Sequence, residues 1–117
     1  MMFRPPAKSK IAEELARGEA ARRAGLEGRA RVCARRAAGA AVREYLDLRG
    51  VEAPGPSAYD LLAYLKDLPE ITPQVRQAAE RLLSRVDEAF SLPAGVDLLA
   101  DAGRLASELE ASIERSD

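Results

Sequence analysis

The chain has 117 residues, 47% of them hydrophobic and 32% charged, with a formal net charge of −1. That length suits one domain with one core, and the balance of apolar to charged residues excludes a disordered chain. With no histidine, the chain lacks an imidazole base, any serine-histidine or cysteine-histidine nucleophile pair, and any histidine metal site.

The single cysteine, Cys33, rules out an intramolecular disulfide and a cysteine-based metal cluster, and it points to a reducing compartment. No apolar run approaches the roughly 20 residues of a membrane span. The N-terminus MMFRPPAKSK has no apolar signal-peptide core, so the expected localisation is cytoplasmic, away from membranes. Charge divides along the sequence. Residues 1–50 carry 12 basic against 6 acidic side chains, and residues 51–117 carry 6 against 13. Either one face meets RNA or an acidic partner, or the halves attract each other within the fold or across a dimer.

Residues 1–6 are expected to form a disordered lead ending in Pro5-Pro6, ahead of one helical-bundle domain over 7–116. In chain order, AKSKIAEELARGEAARRAG predicts a first helix with Ile11 and Leu15 on a weak apolar face. Gly18 inside it costs about 1 kcal/mol relative to alanine, so this helix frays unless something packs on it. Gly25 suits a C-terminal cap. A second helix is predicted from about Leu26 to Arg49, stopping at Gly50. At 100° per residue, Leu26, Ala30, Cys33, Ala37, Ala41, Tyr45 and Leu48 fall in one stripe, edged by Ala34 and Ala38. Arg29, Arg31, Arg35, Arg36, Arg43 and Arg49 project away from it.

The prolines and glycines of GVEAPGPS predict a loop, and Ser57 with Asp60 three residues on predicts the N-cap of a leucine-rich third helix, ending before Pro69. Thr72-Pro73 predicts the start of a fourth helix. Val75, Ala78, Ala79, Leu82, Val86 and Phe90 share its inner face, while Arg76, Arg81 and Arg85 lie off it. After the break SLPAG, a last helix from about Val96 to Glu114 uses Leu98, Leu99, Ala102, Leu105, Ala106, Leu109 and Ile113. Short links between long helices predict an all-α fold, a compact antiparallel bundle of four to five helices.

Candidate chemistry is sparse. The carboxylate pairs Glu13-Glu14, Asp87-Glu88 and Asp97-Asp101 have the chemistry to ligate a metal or to act as acid and base, but each lies on a charged helix and reads as a solvated acidic face. Cys33, in the apolar stripe, reads as a small hydrophobe. No glycine-rich phosphate loop is present. Tyr59 and Tyr64 suit packing at the bundle rim, with stacking on a base as the alternative. The arginines of the second helix are the most numerous candidates for phosphate contact.

The small-residue helix ARVCARRAAGAAVREYL, the Pro/Gly loop, the helix start SAYDLLAYL, the turn LPEITPQVRQAAERLL and the closing amphipathic helix, in that order, carry a resemblance. Over roughly residues 10–114 the chain resembles the HEPN (higher eukaryotes and prokaryotes nucleotide-binding) family. The resemblance implies a bundle that dimerises, acting as a ribonuclease toxin, as the partner of a minimal nucleotidyltransferase, or as a nucleotide- or RNA-binding module. Ribonucleases of the family carry an arginine followed a few residues later by histidine. Arg85 stands at the arginine position, with Arg81 as the alternative, but no histidine follows, and Tyr59 occupies the place of the histidine that many relatives carry before Asp60-Leu61. Without an imidazole the proton transfers of RNA cleavage lack their usual agent, while Arg85 retains its capacity to bind phosphate.

The expectation is therefore a non-catalytic HEPN-like module, a homodimer without cofactor or metal, serving as the partner of a nucleotidyltransferase-type, toxin-antitoxin-like system. The alternatives are RNA or nucleotide binding through Arg31, Arg35, Arg36 and Arg43, and a structural oligomer whose arginines meet acidic helices of a second chain.

Overall fold

A computed structural model describes residues 2–84 and 97–115. They form five helices, α1 (Pro5–Arg23), α2 (Glu27–Leu48), α3 (Ala58–Lys66), α4 (Pro73–Leu83) and α5 (Leu98–Arg115), with no strand among the described residues. The fold is an all-α bundle. α1 and α2 make an antiparallel hairpin: Arg4, at the start of α1, reaches Glu44 near the end of α2, and Arg22, at the end of α1, bonds Glu27 at the start of α2. α2 also packs on α3 and α5, and α4 packs on α3 and α5, so α2 is the central element.

Local chemistry sets most boundaries. α1 and α2 each end in a glycine with positive φ, Gly25 at 78° and Gly50 at 73°. Beyond each, the next amide closes the turn, Leu26 N–H onto Ala21 O at 2.8 Å and Val51 N–H onto Leu46 O at 2.9 Å. This is the Schellman arrangement, and it satisfies carbonyls the helix end leaves open. Ser57 and Thr72 cap α3 and α4 by accepting from Asp60 N–H at 3.0 Å and Val75 N–H at 3.2 Å. Asp97 does the same for α5, accepting from Ala100 N–H at 3.1 Å.

Four features depart from the sequence expectation. The disordered lead does not describe residues 3–6: Phe3 is 2% exposed within the core, and α1 starts at Pro5, where two prolines fit the first helical positions. Leu26 lies outside α2 and is 46% exposed. The buried surface of α2 is wider than one stripe and takes in Val42, Leu46, Gly39 and Glu44, because a central helix is covered from several sides. α4 ends at Leu83, with Ser84 in an extended conformation; Val86 and Phe90, expected on its inner face, lie outside the described residues.

Gly18 explains why α1 does not fray. A Cβ there would stand 2.4 Å from Leu99 Cδ2 and 3.3 Å from Cys33 Cβ, so α2 and α5 both press against this point of α1. Cys33 is buried, as its place in the apolar stripe predicts.

Candidate functional site

The arginines proposed from the sequence do not form one face. Arg35 turns inward, donating from Nε to Leu82 O at 2.8 Å and from Nη2 to Ser84 O at 3.0 Å, while its guanidinium lies over the Tyr59 ring, 5.5 Å from the centroid. It clamps the carbonyls left open at the end of α4. Arg81 grips Asp101 with two parallel bonds of 2.9 and 2.8 Å, and Arg104 adds a third at 2.8 Å. Asp101 is only 1% exposed, and its hydrogen bonds hold the Arg81 pKa above its ordinary value. Arg31 is half-buried on α2, and Arg85 lies outside the described residues. Tyr64, the other aromatic candidate, is 37% exposed on α3.

Arg36 and Arg43 do come together, on the border of a cleft of about 470 Å³ between α1, α2 and the start of α3. Arg43 donates to Gly55 O at 3.3 Å and so ties the loop after α2 to this border. Arg36 is exposed and has no hydrogen-bond or ion-pair partner among the described residues. Facing them from α1 stand Lys10 and Arg17. Each pair is spaced seven residues apart, two turns of helix, which sets both members of a pair on one side of their helix.

Lys10 and Arg17 are not among the candidates that the sequence suggests. The signal lay in Lys10, Glu14 and Arg17 at i, i+4 and i+7, but nothing in the sequence says that this row faces Arg36 and Arg43.

The floor of the cleft is made narrow by small residues. Gly39 sits where a Cβ would meet Ala58 Cβ at 3.0 Å and Ala58 Cα at 3.2 Å, so the first residue of α3 rests directly on α2. Two carboxylates join the floor, Glu14 (2% exposed) and Glu44 (6% exposed). Glu44 is occupied: it accepts from Arg4 N–H at 2.6 Å, Nε at 3.0 Å and Nη2 at 2.7 Å. The Arg4 side chain lowers the Glu44 pKa, outweighing burial, which acts the other way. Glu14, with Arg17 and Arg36, also borders a second cleft of about 670 Å³ between the end of α1 and the start of α2, so these three side chains divide the two.

The carboxylate pairs are not all the solvated faces expected from the sequence, because Glu14 and Asp101 are buried where helices pack over them, and the remaining acidic candidates are structural. Glu13 pairs with Arg17 at 2.8 Å, and Asp97 with Arg22 at 3.0 Å. Burial pushes the Asp97 carboxyl up, but the Ala100 amide and Arg22 together hold it below its ordinary value. Asp87 and Glu88 lie outside the described residues. Among the described residues no three potential ligands gather as a metal site, and no helix is long and apolar enough to cross a membrane.

Fold and cleft together define a five-helix bundle with a basic groove along its α1–α2 hairpin. Comparison with protein-family models, with curated proteins and with solved structures gives no match.

Proposed function

We propose that this chain is a non-catalytic binding module whose α1–α2 cleft takes the phosphate of a nucleotide or of RNA. The observation that carries the reading is the meeting of Lys10, Arg17, Arg36 and Arg43 around one cleft, drawn from two helices. Guanidinium and ammonium groups so placed give an anion several charge-assisted hydrogen bonds at once. The missing histidine supports binding without turnover.

The test is titration of a mononucleotide and of a single-stranded RNA at about 50 and about 200 mM salt, since binding through phosphate weakens as salt rises. Binding at low salt that falls with salt, and falls further in Arg36→Ala, is the expected result. No binding of either ligand at low salt ends the reading.

The helix order and small-residue α2 support an HEPN-like module acting beside a minimal nucleotidyltransferase. Co-purification of the chain with a nucleotidyltransferase expressed from a neighbouring reading frame tests that assignment. Self-association is a second reading, favoured by Leu26 and Val32, which are 46% and 43% exposed beside Ala20 and Ala24 along the second cleft. A homodimer using this surface falls to monomer in Val32→Glu, as light scattering would read; an unchanged mass excludes this surface as the interface.

A further inference from the structure

Glu14 is the anomaly of the cleft. Among the described residues its Oε1 is the one side-chain polar atom shut off from solvent without a hydrogen-bond partner. The nearest cation, Arg17 Nη1, stands 3.9 Å away, beyond hydrogen-bond range, and that guanidinium is already bonded to Glu13 at 2.8 Å. A carboxylate buried in this way costs free energy until a donor reaches it. Such a group, set on the floor of a groove bordered by cations, constrains what the groove takes.

Charge narrows the ligand first. With Arg17 paired to Glu13 and Glu44 neutralised by Arg4, the three cations Lys10, Arg36 and Arg43 stand against the single floor carboxylate Glu14. The border therefore attracts an anion and repels an ammonium or guanidinium ligand, so the donor that satisfies Glu14 is a neutral N–H or O–H on a molecule that is negative elsewhere. A nucleotide has both parts, and a cleft of about 470 Å³ falls within the range of small-ligand sites.

The bases differ in what they offer a carboxylate. Guanine presents two adjacent donors, N1–H and the 2-amino group, that match two carboxylate oxygens. Adenine and cytosine each set one amino donor beside a ring nitrogen that is an acceptor and repels the carboxylate. Uracil flanks its single N–H with two carbonyls.

Resting on the reading of the cleft as a phosphate site, we propose that it selects guanine nucleotides. Glu14 accepts from N1–H and the 2-amino group of the base, and Lys10, Arg36 and Arg43 hold the phosphate. The base reaches Oε1 by turning aside Arg17, whose side chain is 60% exposed.

The experiment is calorimetric titration of the full chain with GMP, IMP and AMP at low salt, repeated on Glu14→Gln and Arg36→Ala. GMP is expected to bind roughly tenfold or more tightly than AMP, as a matched donor pair discriminates, with IMP, which lacks the 2-amino group, between them. Glu14→Gln narrows the GMP preference to about twofold or less, while Arg36→Ala weakens all three nucleotides alike. Equal binding of GMP and AMP to the unmodified chain overturns base selection and leaves the phosphate site standing; no binding of any of them overturns both. The comparison on the unmodified chain needs no variant to fold. A short RNA with a 5′-terminal pG, competed against bound GMP, separates the two sources of the same chemistry: stronger competition than free GMP assigns the end of an RNA strand, weaker competition the free nucleotide.

Discussion

Arg4 closes on Glu44 with three hydrogen bonds, one from its backbone amide and two from its guanidinium, and in doing so fastens the start of α1 to the last turns of α2. Arg4 also pairs with Asp47, and the neighbouring Phe3 N–H donates to Glu110 of α5 at 2.9 Å. The N-terminus is thus pinned to two helices by charge while Phe3 fills the core between them.

The Glu44 pKa is lowered in the folded protein, chiefly by Arg4. A carboxylate of this kind contributes stability above its unfolded pKa, near 4.5, and the contribution disappears as pH falls through the lower folded value. Glu44→Gln is expected to lower the unfolding midpoint at pH 7, and the gap to the unmodified chain should close between about pH 4.5 and the acid limit. Chemical denaturation at a series of pH values reads both. A gap that stays constant with pH would show that the carboxylate is not the stabilising group.

Phe3 makes a sharper test of the docked N-terminus. Phe3→Ala removes a buried ring and should cost about 3 kcal/mol of folding stability, near the usual value for such a truncation. Met2→Ala, at a residue 53% exposed, should stay within about 0.5 kcal/mol. If both substitutions proved neutral by denaturant melts, Phe3 would not belong to the core.

Two mid-helix glycines should respond in opposite directions to alanine. Gly103 in α5 has nothing within 4 Å of the position a Cβ would take, so Gly103→Ala should stabilise the protein by about 0.5 to 1 kcal/mol through helix propensity alone. Gly39 has the same propensity to gain, but its Cβ would press on Ala58, backbone included, at 3.0 and 3.2 Å. Gly39→Ala should therefore fall short of Gly103→Ala by more than about 1 kcal/mol and narrow the cleft. Equal gains in thermal melts would mean that α3 does not rest on α2 at this point.

Arg35 and Arg36 are neighbours in sequence and opposites in role. Arg35→Ala loses two carbonyl bonds at the end of α4 and the contact with Tyr59, and should cost about 1 to 2 kcal/mol of stability. Arg36→Ala should leave stability within about 0.5 kcal/mol and weaken nucleotide binding instead. Measuring melts and titrations on both variants separates the roles, and the reverse pattern would reassign the cleft.

Helical periodicity, glycine stops and the Ser57 and Thr72 caps made the all-α class, the number of helices and most of the core legible from the sequence, because these signals act within a turn or two of chain. Gly25 and Gly50 mark their ends directly, since only a residue at ease with positive φ closes a Schellman turn. Tertiary structure alone decided the rest. It turned Arg35 and Arg81 into internal clamps, left Arg36 and Arg43 at a groove, and set Lys10 and Arg17 opposite them. It also buried Phe3 and stranded Glu14 Oε1. An arginine reads the same in sequence whether it meets a carboxylate, a carbonyl or solvent. The difference is made by which helix lies across from it, and that is fixed by packing between segments far apart in the chain.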